Sequence, residues 1–141
     1  MQHWLIKSDP ETYGWPEFVA KGTDMWEGVR NYAARNNLMA MKTGDLVLFY
    51  HSVINPAVVG IARVAREHYP DPTTEDNRWV VVDFTVERAL THPVSLKTIK
   101  STPLFANIGL VRQSRLSVMP LTETEYDAIL LMSEKEEGEG G

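Results

Sequence analysis

Arg78–Leu90 reads RWVVVDFTVERAL, and this stretch decides the fold class. Val80, Val82, Phe84 and Val86 recur at every second position, the period that lines one face of a strand with apolar side chains. Two neighbouring stretches read the same way. Leu46–His51 (LVLFYH) is a continuous apolar run of strand length, entered through the turn Lys42-Thr43-Gly44-Asp45. Ala57–Arg66 (AVVGIARVAR) is rich in β-branched residues, with Gly60 as a candidate bulge. Tyr69-Pro70-Asp71-Pro72-Thr73 then forms a proline-stiffened loop back to the long strand.

Outward from this centre the pattern changes. His3–Lys7 (HWLIK) is a short first strand, stopped by Ser8-Asp9-Pro10. A short helix is predicted over Pro16–Lys21, with proline at its start and Gly22 as its stop. A second is predicted over Val29–Met41, and one or two helical turns over Ser95–Lys100. Leu116-Ser117-Val118 reads as a closing strand before Pro120. Thr122 and Glu125 form a capping box that opens a last helix to about Met132. Strands in the middle, helices at both ends and no βαβα alternation predict an α+β fold around a small curved sheet or barrel.

The 141 residues suit one domain, and 43% hydrophobic with 23% charged is ordinary globular usage, which excludes a disordered chain. No apolar run approaches the roughly 18–20 residues that span a bilayer, and no secretory signal is visible at the start. The expectation is a cytoplasmic protein, nuclear if eukaryotic, with no membrane partner and a monomeric state favoured. With no cysteine, disulfide scaffolds, thiolate metal sites and thiol nucleophiles are excluded. His3, His51, His68 and His92 are scattered without metal-ligand spacing, and no glycine-rich phosphate loop occurs, so neither a metal nor a cofactor is expected.

Net charge is −5, yet it is unevenly spread. Glu134–Gly141 (EKEEGEGG) is an acidic, glycine-rich tail expected to be disordered beyond a domain at residues 1–133. From Arg88 to Thr122 there are five basic residues, Arg88, Lys97, Lys100, Arg112 and Arg115, and no acidic one, a pattern suited to meeting phosphates. Trp26–Tyr32 (WEGVRNY) sets an indole, a guanidinium and an amide together without apolar periodicity, and Phe49-Tyr50-His51-Ser52 ends a strand with two rings and two polar groups. A planar base asks for such residues, a flat wall to stack on and oriented donors and acceptors for its edge.

These strings resemble the motifs of the EVE domain family. Trp4–Pro10 (WLIKSDP), Trp26–Tyr32, Met41–Ser52, Tyr69–Thr73 and Arg115–Val118 follow the family's order from about His3 to Met132. Ala33 stands where the pattern leads to Gln, and the loop from Val53 to Val58 is short and lacks a cysteine. The resemblance implies a PUA-like small mixed β-barrel wrapped by helices, akin to YTH domains. It further implies a cavity for a modified, flipped-out base in DNA or RNA, and binding without catalysis. Carried over, Lys7 and Ser8 lie at the rim, Trp26, Val29 and Asn31 border the cavity, and Phe49, Tyr50, His51 and Ser52 form its strand-side wall. Arg115, Leu116 and Ser117 close it from the C-terminal side. Apart from the resemblance, Arg112 and Arg115 of the basic stretch, with Arg30, are the candidate phosphate contacts. Two other readings stand beside this one: an ASCH-like amidohydrolase acting on a modified pyrimidine nucleoside, for which Lys7, Glu27 and Asp45 are the candidate groups, and a protein-interaction module.

Overall fold

The structure, a computed structural model, describes residues 1–135. Six strands, β1 (His3–Ser8), β2 (Thr23–Met25), β3 (Leu46–His51), β4 (Ala57–Pro70), β5 (Val80–Ser95) and β6 (Val118–Leu121), form one mixed sheet in the order β2-β5-β4-β3-β1-β6. Five helices, α1 (Trp15–Lys21), α2 (Tyr32–Ala40), α3 (Leu96–Lys100), α4 (Gly109–Arg112) and α5 (Glu123–Ser133), pack around it. This is the mixed α+β architecture expected, with one difference in closure. Edge strands β2 and β6 are not paired with each other, so the sheet is open where a barrel would close.

The central strands are longer than their sequence pattern. β4 and β5 stay paired as far as Pro70 with Val80 at one end and Ala57 with Ser95 at the other, so Tyr69 and Pro70 belong to the ladder and the loop begins at Asp71. Four register shifts interrupt this ladder, one of them at Gly60, and bulges of this kind increase local twist. Val80, Val82 and Phe84 are buried as the alternation predicts, and Val81 is buried on the opposite face as well. β1 joins β3 in parallel and β6 antiparallel, so the first strand lies between the third and the last. Pro120 sits within β6, where an edge strand tolerates its missing donor.

The helix ends follow local chemistry. Gly22 terminates α1 at φ 76°, a left-handed conformation that suits glycine. Thr122 and Glu125 form the capping box expected at α5: Glu125 N–H donates to the Thr122 hydroxyl at 3.0 Å and Thr122 N–H to the Glu125 carboxylate at 2.9 Å. α2 starts three residues later than its pattern because the Asn31 side chain caps it, accepting from Ala34 N–H at 2.9 Å. Of the predicted acidic tail, only residues 134 and 135 lie within the described chain.

Candidate functional site

The gap in the sheet is a cavity of about 690 Å³. β1 and β2 are separated by three strands in the sheet order, yet Lys7 and Ser8 of β1 and Asp24 and Met25 of β2 line the same space. The sheet therefore rolls toward closure, and the cavity occupies the unclosed seam. Trp26, just after β2, and Ser117, just before β6, both line it. The β1–α1 loop supplies Asp9, Thr12 and Tyr13, and the β2–α2 loop supplies Glu27 through Arg30.

Trp26 is half-buried and fixed by its neighbours. Its backbone N–H donates to Val82 O at 2.8 Å, extending the β2–β5 pairing by one residue. Its ring meets Phe49, Phe84 and Tyr13 edge-on, with centroids 5.7, 5.7 and 6.0 Å away. Edge-on packing holds an indole without covering its face by a parallel ring. Tyr13 brings a second feature: its hydroxyl is buried beside the Asp24 carboxylate without a hydrogen bond of ordinary geometry. Burial, and then the Asp24 carboxylate through its hydrogen-bonding pull and its charge, push this phenol well above its ordinary value. A buried, unpaired hydroxyl costs about 1–3 kcal/mol. It is the one buried side-chain polar atom among the described residues left in that condition.

Of the residues singled out in the sequence, Lys7, Ser8, Trp26, Val29, Arg30 and Ser117 come together here. Lys7 is tied to the segment that leads into β6, its ammonium donating to Ser114 O at 2.8 Å, and burial lowers its pKa. The Ser8 hydroxyl donates to Tyr13 O, which pins the loop. Arg30 is held by the buried Asp71 at 3.0 Å. Burial pushes the Asp71 carboxyl up, but hydrogen bonds from Thr73 and Arg30 outweigh it and hold it below its ordinary value.

The other expected residues lie elsewhere. Asn31 spends its side-chain oxygen on the α2 cap and is absent from the cavity lining. Phe49 and Tyr50 are buried, and Phe49 stands behind Trp26, stacked on Phe18 at 5.3 Å. His51 turns the other way, its Nε2 accepting from Trp15 N–H at 2.9 Å at the start of α1, and burial lowers its pKa. Ser52 and the buried Leu116 also fall outside the lining, as do the exposed Arg112 and Arg115. Sequence reasoning passed over Tyr13 and Asp24. Tyr13 lies in a loop without periodicity, and Asp24 in a three-residue strand too short to show any, so only the polar-aromatic mixture of Thr12-Tyr13-Gly14-Trp15 offered a signal.

An α+β domain with an open, rolled sheet and an aromatic-polar cavity in its seam is the class that fold and site define. The chain belongs to the EVE domain family, whose family model matches residues 2–132. Human thymocyte nuclear protein 1 is 36% identical over 95% of this chain and 75% of its own length. A crystal structure of a protein from Agrobacterium tumefaciens superposes with TM-score 0.92 at 43% identity, covering 94% of this chain and 93% of that one. Human thymocyte nuclear protein 1 in complex with DNA containing 5-methylcytosine superposes with TM-score 0.92 at 34% identity, covering 96% and 99%. A YTH domain from Zygosaccharomyces rouxii, solved with N6-methyladenosine RNA, has TM-score 0.57 at 16% identity over 94% and 86%, a likeness of fold.

Proposed function

We propose that this chain binds a nucleic-acid strand and takes one modified base, flipped out of its stack, into the Trp26–Tyr13 cavity. The observation that carries this reading is a cavity that sets the half-buried Trp26 ring beside the buried Tyr13 hydroxyl and the Asp24 carboxylate. Flipping a nucleotide costs a few kcal/mol of lost stacking. Stacking on Trp26 returns about 1–3 kcal/mol. A hydrogen bond from the base edge to Tyr13 adds about 1 kcal/mol and removes the penalty of the orphan hydroxyl. The Asp24 carboxylate lines the cavity and suits an exocyclic amine, the group by which a carboxylate reads cytosine, while Met25 and Val29 offer apolar surface for an added methyl. The relative solved with 5-methylcytosine DNA supports a methylated cytosine as the first base to test.

Binding rather than turnover fits the placement of the reactive groups. Asp45, one of the three residues an amidohydrolase would draw on, is remote from the cavity and accepts from Gln2 N–H, Trp4 Nε1–H and Lys42 N–H. Lys7 and Glu27 remain at the cavity, the former tethered to Ser114. The test is tryptophan-fluorescence titration with cytidine, 5-methylcytidine, 5-hydroxymethylcytidine, N4-acetylcytidine and N6-methyladenosine, with mass spectrometry of each mixture after incubation. One modified nucleoside should bind at least about tenfold tighter than its parent, lose that affinity in Trp26→Ala, and be recovered unchanged. Equal affinity across the panel, or turnover that disappears in Lys7→Ala, overturns the reading.

A further inference from the structure

A second concavity, a groove of about 1000 Å³, lies beside the cavity at the C-terminal ends of β1 and β3. The two linings are neighbours in the sheet and in the chain. Ser8 lines the cavity, and its register partner on β3, His51, lines the groove. Asp9 lines the cavity, and the next residue, Pro10, lines the groove. A chain leaving the cavity over the Asp9-Pro10 turn therefore passes directly into the groove.

The groove's composition is one-sided. Its floor is apolar, from Pro56, Pro93 and Leu96 among others, and no acidic residue lines it although the protein is acidic overall. Its two charges are Lys97 and Lys100, three residues apart on α3, so they lie on one face of the helix. Both are exposed, and neither ammonium has a hydrogen bond or ion pair among the described residues. Arg112 and Arg115, the other cations of the same basic stretch, line neither concavity.

We infer that this groove is the track for the strand flanking the bound base, with Lys97 and Lys100 neutralising two of its phosphates and the apolar floor meeting its sugars and neighbouring bases. The inference rests on the base-binding reading and extends it from a nucleoside to a polymer. It also shifts the main phosphate contacts from Arg112 and Arg115 to the α3 lysines. A single-stranded contact contributes roughly 0.7 to the dependence of log affinity on log salt, so losing two lowers the slope by about 1.4.

The experiment compares a twelve-nucleotide single-stranded DNA carrying one central 5-methylcytosine with free 5-methyldeoxycytidine, on wild type, K97E/K100E, Lys97→Gln with Lys100→Gln, and Trp26→Ala. Both lysines are exposed, and a retained thermal midpoint certifies the fold of each variant. The expected result is a loss of oligonucleotide affinity of tenfold or more and a shallower salt slope in K97E/K100E, a smaller loss in the glutamine pair, and unchanged nucleoside binding. Oligonucleotide affinity that is unaltered in K97E/K100E while the nucleoside still binds through Trp26 overturns the track and leaves the base reading in place. Oligonucleotide affinity that falls in K97E/K100E but is indifferent to Trp26→Ala sustains the track and removes the base reading. Preferential binding of an acidic peptide over the oligonucleotide, lost in K97E/K100E, replaces the strand by a protein partner.

Discussion

Tyr13 is where a single side chain separates function from stability. Its hydroxyl makes no hydrogen bond of ordinary geometry and is burdened by burial beside Asp24. Tyr13→Phe should therefore leave the protein as stable or more stable by about 1 kcal/mol, while lowering affinity for the bound base about five- to tenfold. Thermal unfolding and nucleoside titration on the same preparation check both halves, and a destabilised variant would mean the hydroxyl has a structural partner. Gly60 gives the opposite case, a residue whose smallness is structural. A Cβ there would overlap the Trp15 ring, which packs edge-on against Phe18 and Phe49. Gly60→Ala should cost about 1–3 kcal/mol in urea unfolding, because the ring must leave its rotamer or the bulge must shift.

Among the elements, α1 depends on a neighbour across the sheet end. Its first N–H, from Trp15, has no intrahelical acceptor, and the lone pair of His51 Nε2 fills that role. The neutral imidazole is required, and burial lowers its pKa below the ordinary 6.5, partly opposed by Glu17. A folded-state value below the unfolded one means the stabilisation is complete above about pH 6.5 and is lost as pH falls through the lower folded value. Thermal midpoints taken from about pH 7.5 to about pH 5 should fall more steeply for wild type than for His51→Gln, which keeps an acceptor without titrating. Parallel profiles would show that the imidazole's charge does not govern α1. This placement also shows what sequence reading can reach. His51 and Asn31 carry chemistry fit for a base edge, and the same chemistry fits a helix cap, so residue type cannot decide between them. The caps that were legible, Thr122 with Glu125, lie within four residues of one another. The cap on α1 spans 36 positions and exists only through the β1–β3 pairing.

At the scale of the whole molecule, the alternation in Val80–Val86 and the apolar run Leu46–His51 exposed the centre of the sheet, because a strand's period is local. Closure was not legible: β2 has three residues and no pattern, and its place beside β5 is set by Thr23 and Met25 meeting Thr85 and Asp83 some sixty residues on. The cavity inherits that illegibility, since its walls come from the strands that nearly close the roll. What keeps β1 in place opposite that seam is a buried carboxylate. Asp45 accepts from Gln2 N–H at 3.1 Å, Trp4 Nε1–H at 3.0 Å and Lys42 N–H at 3.0 Å, joining the start of β1 to the turn before β3. Gln2 and Lys42 are exposed and can turn to water, but the Trp4 indole is buried and would be left without an acceptor. Asp45→Ala should therefore lower the free energy of unfolding by about 2–4 kcal/mol, and Asp45→Asn by less, since one acceptor oxygen remains. Because β1 forms both the parallel pair with β3 and the rim of the cavity, the unfolding should stay a single transition with unchanged denaturant slope and a lower midpoint. Nucleoside binding by the fraction that remains folded should keep its affinity, because Asp45 does not line the cavity. A loss of affinity larger than the loss of folded protein would show that the carboxylate positions the rim and does more than hold the strand.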